Sequence, residues 1–285
     1  MKLLATFLSS LLLATTVTAN VPSRSAQRQQ RRAERRAALE DVTEVNVIKR
    51  ATPSNTQTHW AGAVMTAAPA GTSFTAVTGT FVVPKPVPPT SGAGTWGGSA
   101  WVGIDGYYSN PNALAQAGVS WNVTVDSTGA TSYQYLAWYE WAPWGEFLYD
   151  MTVNAGDAIN VWCQSKDPLT AYCTVFDETT GVELTQVFTP NAKSPPPYPP
   201  LIGASVEWIV EDFNEADTGA MIPFANFHSV TFTGASAVAS NNATGAYETV
   251  YPNAGNVVVQ VIAQNGQVLT DTTFPGTNEV EVTYV

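Results

Sequence analysis

The 285-residue chain is acidic, with 23 Asp and Glu against 12 Lys and Arg, a formal net charge of −11, and only two histidines and two cysteines. Its basic residues crowd the first fifty positions; beyond them remain three lysines, no arginine and 19 acids, a charge of −16. That balance excludes nucleic acid as a partner, since nothing basic is left to meet phosphates, and the His and Cys content is too thin for a metal site or a metal cofactor.

Residues 1–19, MKLLATFLSSLLLATTVTA, carry Lys2, an apolar run and a V-T-A ending. This is the pattern of a secretory signal cut after Ala19, and it predicts an exported, extracellular protein. No later stretch is apolar for long enough to span a bilayer, so no membrane association is expected. Residues 20–50 hold eight of the Lys and Arg and end in the pair Lys49-Arg50. They read as a propeptide that docks on the acidic remainder by charge, inhibits it, and leaves once carboxylates take up protons.

From 51 to 285 the chain reads as one domain, with a monomer as the default state. Short runs rich in Val, Thr, Tyr, Phe and Trp alternate with Gly, Asn, Asp, Ser and Pro turns, and helical periodicity is almost absent. Many evenly spaced strands predict a sandwich or a barrel. Asn122-Val-Thr124 and Asn242-Ala-Thr244 are glycosylation sequons suited to a secreted surface. Cys163 and Cys173 flank the turn signal Asp167-Pro168, which predicts a disulfide across a hairpin. The proline-rich NAKSPPPYPPLIG reads as a loop between strands. His59 and His228 are read as structural. With few ion pairs to lose at low pH and much self-repulsion at neutral pH, the domain suits an acidic medium.

Side chains on a strand alternate between faces, which sorts the acids. In VEWIVEDFN (206–214), Val206, Trp208 and Val210 share one face; Glu207, Ile209, Glu211 and Phe213 share the other. In SAWVGIDG, Trp101, Gly103 and Asp105 oppose Val102 and Ile104. In LAQAGVSWNV, Gln116, Gly118, Ser120 and Asn122 oppose an apolar seam, and in LAWYEWAP, Trp138 and Glu140 fall together. One set of faces thus looks like sandwich core, while the other collects Trp, Gln, Asp and Glu, as a groove for an extended polymer would.

Together with the Trp of HWAGAV, the motifs SAWVGID, ALAQAG, AWYEW and EWIVEDF closely resemble the glutamic peptidases called eqolisins, over essentially all of 51–285 and in the same order. The resemblance implies an acid endopeptidase acting on polypeptides, on an all-β sandwich of two antiparallel sheets of jelly-roll or lectin-like type, with a cleft on one curved sheet. It also implies a catalytic pair at Gln116 and Glu211, and substrate-binding positions at Trp60, Trp101, Asp105, Trp138, Glu140 and Phe213. Ser120, Leu136, Ala142 and Asn214 depart from the family pattern at positions that bear on subsite preference.

The pair suits hydrolysis in acid. Histidine would be protonated and useless as a base there. An ionised Glu can take a proton from water and return it to the leaving amine, while a Gln amide stays neutral and donates to the tetrahedral oxygen. The rival reading is a secreted glycoside hydrolase or carbohydrate-binding sandwich, with tryptophans stacking on sugar and Glu140 and Glu211 as acid and base. A non-catalytic adhesion or coat domain is the third.

Overall fold

Alternating β-branched and aromatic residues with no 3.6-residue period leave extended pairing as the means of satisfying the backbone. A computed structural model describes residues 54–189, 199–214, 220–241, 243–253 and 256–285; these form 17 strands and no helix. The signal and propeptide regions, the central part of the proline-rich stretch and the sequon at Asn242 lie outside the described residues.

The first sheet runs in the order β1 (Ser54–Gln57), β14 (Val257–Gln264), β2 (Trp60–Met65), β11 (Val206–Glu211), β4 (Gly94–Asp105), β5 (Leu114–Val125), β6 (Thr131–Ala142), β7 (Glu146–Leu148), with β15 (Gln267–Val268) beside β14. The second runs β10 (Val182–Phe188), β9 (Thr170–Asp177), β8 (Ala158–Asp167), β3 (Ser73–Val82), β12 (Ser229–Ser240), β17 (Val280–Tyr284), β16 (Thr270–Thr273), with β13 (Tyr247–Val250) on β12. The pairing is antiparallel except that β1 runs parallel to β14. Thr58 and His59 turn the chain past the end of β14, so β1 and β2 flank that strand in opposite directions.

The core lies between the sheets. Val206, Trp208 and Val210 enter it as alternation predicts, and the Trp208 indole crosses to the second sheet, its Nε1 donating to Thr78 O at 2.8 Å. Cys163 and Cys173 stand directly opposite each other on β8 and β9 and form the expected disulfide. Sequence EWIVEDF also yields a strand, but it stops at Glu211.

The second face departs from the expected open groove. β11 is flanked by strands on both sides, and Glu207 and Ile209 on its other face are as buried as its core face. Val64, Trp101, Tyr107, Leu114, Trp138 and Ile209 form a small apolar cluster of their own there. Apolar residues scattered singly over five strands and a loop look polar on average when each strand is read alone; stacked by register, they make a floor.

Asn122, of the first sequon, lies half-buried within β5.

Candidate active site

Strand register lays the cleft face out as three rows. Glu207, Gly103, Gln116, Glu140 and Glu146 form the first, across β11, β4, β5, β6 and β7. Ile209, Trp101, Gly118, Trp138 and Leu148 form the second, and Trp60, Glu211, Ser99, Ser120 and Leu136 the third. Rows two residues apart share a face, so Glu211 and Gln116 belong to the same side of the same sheet. They stand diagonally, two strands and two rows apart, with Trp101 on the intervening strand in the intervening row.

Trp101 Nε1 donates to Glu211 Oε2 at 2.7 Å, and the Trp60 indole, edge-on to Trp101 at 5.0 Å, donates to the same carboxyl. Burial nevertheless dominates: it pushes Glu211 up to about 7 against the pull of both indoles, and Glu140 and Asp212 push the same way. With the cleft empty, Glu211 is therefore protonated through the acid range, not ionised as the resemblance-based mechanism requires.

Gln116 is buried, and its Nε2 donates to Glu140 Oε2 at 2.7 Å. Its Oε1 has no partner. Burial raises Glu140 too, against the Gln116 bond. Glu140 thus touches Gln116 and repels Glu211, so all three groups face one cleft.

On the other side of Glu211 opens a cavity of about 530 Å³ lined by Asn55, Gln57, His59, Trp60 and Tyr107 among others. Its wall is a chain of amides: Asn55 and Gln57 donate to Gln260 Oε1, and Gln260 Nε2 donates to Tyr107 OH. Nothing in the sequence pattern marked these residues, because β1, β14 and the loop after β4 meet only in the fold.

Two expected substrate positions fall elsewhere than in the open cleft. Asp105 is fully buried, and its carboxylate receives the backbone N–H groups of Ile202, Gly203 and Ala204 and the Asn110 amide at 2.6–3.1 Å. It ends β4 with φ 68°, a left-handed conformation at the point where the chain leaves the strand. It anchors a loop and is closed to substrate. Trp138 lies in the apolar floor with its indole N–H unpartnered. Trp60 and Phe213 remain half-exposed, the latter just past β11.

Glu207, the first acid of EWIVEDF, is wholly buried. Ser205 Oγ donates to its Oε1 at 2.5 Å, its Oε2 is unpartnered, and burial, with Asp105 nearby, holds its carboxyl well above the usual range. It shares the cleft face by register but is closed to solvent.

A sequence profile described as the Peptidase A4 family matches residues 58–284. The chain belongs to the Peptidase A4 family. It is 37% identical over 246 residues to aspergillopepsin-2 of Aspergillus niger, covering 80% of this chain and 77% of that protein. It is 30% identical over 268 residues to scytalidopepsin B of Scytalidium lignicola, covering 91% and 90%. The crystal structure of scytalido-glutamic peptidase with a transition state analog inhibitor superposes with a TM-score of 0.64 at 28% identity, covering 80% of this chain and 99% of that one. This eqolisin is accordingly a glutamic endopeptidase, and the sugar-cleaving and non-catalytic readings are set aside.

Proposed function

We propose that the chain is a secreted acid endopeptidase in which Glu211 and Gln116 act together on a water and a peptide carbonyl. The observation that carries this is the bond from Gln116 to Glu140 on the face that also holds Glu211 against two indoles. One Gln116 N–H is spent on Glu140, which fixes the amide; the second N–H is left to donate to the oxyanion, and the unpartnered Oε1 to accept from water.

Ionised Glu211 takes one proton from that water as its oxygen bonds to the carbonyl carbon. It then gives the proton to the amide nitrogen as the C–N bond breaks. Donors brought by water and substrate favour the ionised carboxyl, opposing the burial that protonates it in the empty cleft. Amide, indole and carboxyl need no imidazole at any step. Removal of the Arg-rich 20–50 segment completes maturation, and that segment inhibits the −16 domain by charge until then.

Gln116→Ala is expected to lower kcat by roughly 10²- to 10³-fold, the usual loss for one oxyanion donor. Acid-pH digestion of one unfolded protein, with products read by mass, checks it; wild-type cleavage by this variant contradicts the role.

A further inference from the structure

Asp212 follows Glu211 directly, yet its side chain goes the other way, onto the face of Val206, Trp208 and Val210. It is fully buried. Its Oδ2 receives Nε2 of Gln264, at the end of β14, and its Oδ1 has no partner. Its backbone N–H donates to His59 O at 2.8 Å, and its carbonyl meets His59 Nδ1 at 2.9 Å. The same Gln264 nitrogen reaches Thr58 O at 3.1 Å and Met221 Sδ at 3.2 Å. Asp212 and Gln264 therefore clamp the Thr58–His59 turn, and that turn delivers Trp60, the register partner and hydrogen-bond donor of Glu211.

The titratable groups around Asp212 are His59 from the turn, Glu211 beside it and Tyr284 from β17. None of its hydrogen bonds comes from a Lys or Arg. As a neutral acid the side chain is tolerable here. As an anion it has one amide donor, one oxygen with nothing to bind, and a like charge one residue away.

We propose that Asp212 is a positioning residue: in its neutral form it holds the turn and the end of β11 so that Glu211 stays against Trp60 and Trp101, and its ionisation sets the alkaline limit of activity. The inference rests on the reading of Glu211 as proton acceptor. Burial supports it by keeping the Asp212 proton on to about 7, with the Gln264 amide pulling the other way.

The test is Asp212→Asn in the full chain after maturation. Its kcat and KM for a quenched peptide are followed with pH, and Trp fluorescence confines the comparison to pH values where both proteins are folded. The acid-side kcat should stay within about threefold of wild type, while the alkaline limb of kcat moves up by about one pH unit or more, roughly tenfold more activity above the wild-type midpoint, with KM unchanged. A merely structural role would shift the unfolding pH and leave the kcat limb of the folded enzyme in place; that result overturns the inference. Should the Asn variant fail to fold, Gln264→Met removes the amide that pulls Asp212 down and should move the limb to higher pH, and an unmoved limb overturns it equally. An active Glu211→Gln enzyme would remove the underlying reading instead; an inactive one beside an unmoved Asp212→Asn limb removes this inference alone.

Discussion

Glu211→Gln should lose at least about 10³-fold in kcat with its fold intact, toward the upper end of what general acid–base catalysis contributes. The change is isosteric, keeps an oxygen for the Trp101 and Trp60 donors, and relieves the burial of a titratable group, so stability has no reason to fall. What disappears is the capacity to take a proton from water. Glu211→Asp retains that capacity but withdraws the carboxyl by one methylene from both indoles, and an intermediate loss of about 10²-fold is expected from such misplacement. The pH profile carries a second signature. The acid limb of kcat/KM reports the free enzyme, in which burial raises Glu211, and should lie above the acid limb of kcat. The limb of kcat reports the loaded cleft and should lie lower, because water and substrate add donors to the ionised form. Stopped assays over pH check both; coincident limbs would deny that the loaded cleft favours the anion.

Thermal stability should fall steadily as pH rises from about 4 to about 7, the reverse of the usual behaviour of carboxyl groups. Asp212 has a folded-state value of about 7 against an ordinary 3.8, so its contribution is fully present below the unfolded value and is lost as pH climbs through the folded one. A shift of that size corresponds to on the order of 4 kcal/mol, comparable with the whole stability of a marginal domain. Glu207, wholly buried and raised in the same direction, adds to the loss. Glu207→Gln keeps an acceptor for Ser205 and removes the ionisable group, so it should flatten the curve at its upper end without altering kcat at acid pH. Melting temperatures by circular dichroism across that range decide the matter, and a curve that is flat or rises toward neutrality would show that these acids are not held neutral by the fold.

Acid adaptation was legible in the sequence only in outline. The charge of −16 beyond residue 50 pointed to self-repulsion and scarce ion pairs. The sharper cause is burial of Glu207 and Asp212, which depends on which strands flank β11. Strand parity alone placed Glu211, Gln116, Trp101 and Glu140 on one face, because side-chain direction along a regular strand is fixed by local geometry. The same parity put Asp212 on the core face, a signal present in EWIVEDF but outweighed by its acidic neighbours. Parity could not foresee that the N–H groups of 202–204 take up the Asp105 carboxylate, or that the groove's floor is apolar. The amide wall of Asn55, Gln57 and Gln260 was beyond reach, since Gln260 lies 203 residues from Gln57 and 205 from Asn55 and none carries a motif.

The claim on which the rest stands is that Gln116 and Glu211 serve one transition state. Single-turnover cleavage of one peptide, followed long enough by mass spectrometry to register very slow rates, should be measured for Gln116→Ala, Glu211→Gln and the double variant. Groups acting as a unit lose nearly everything when either is removed, so the double variant should be little slower than the slower single one. Losses that multiply, or a single variant that still cuts at the wild-type rate, would contradict the account.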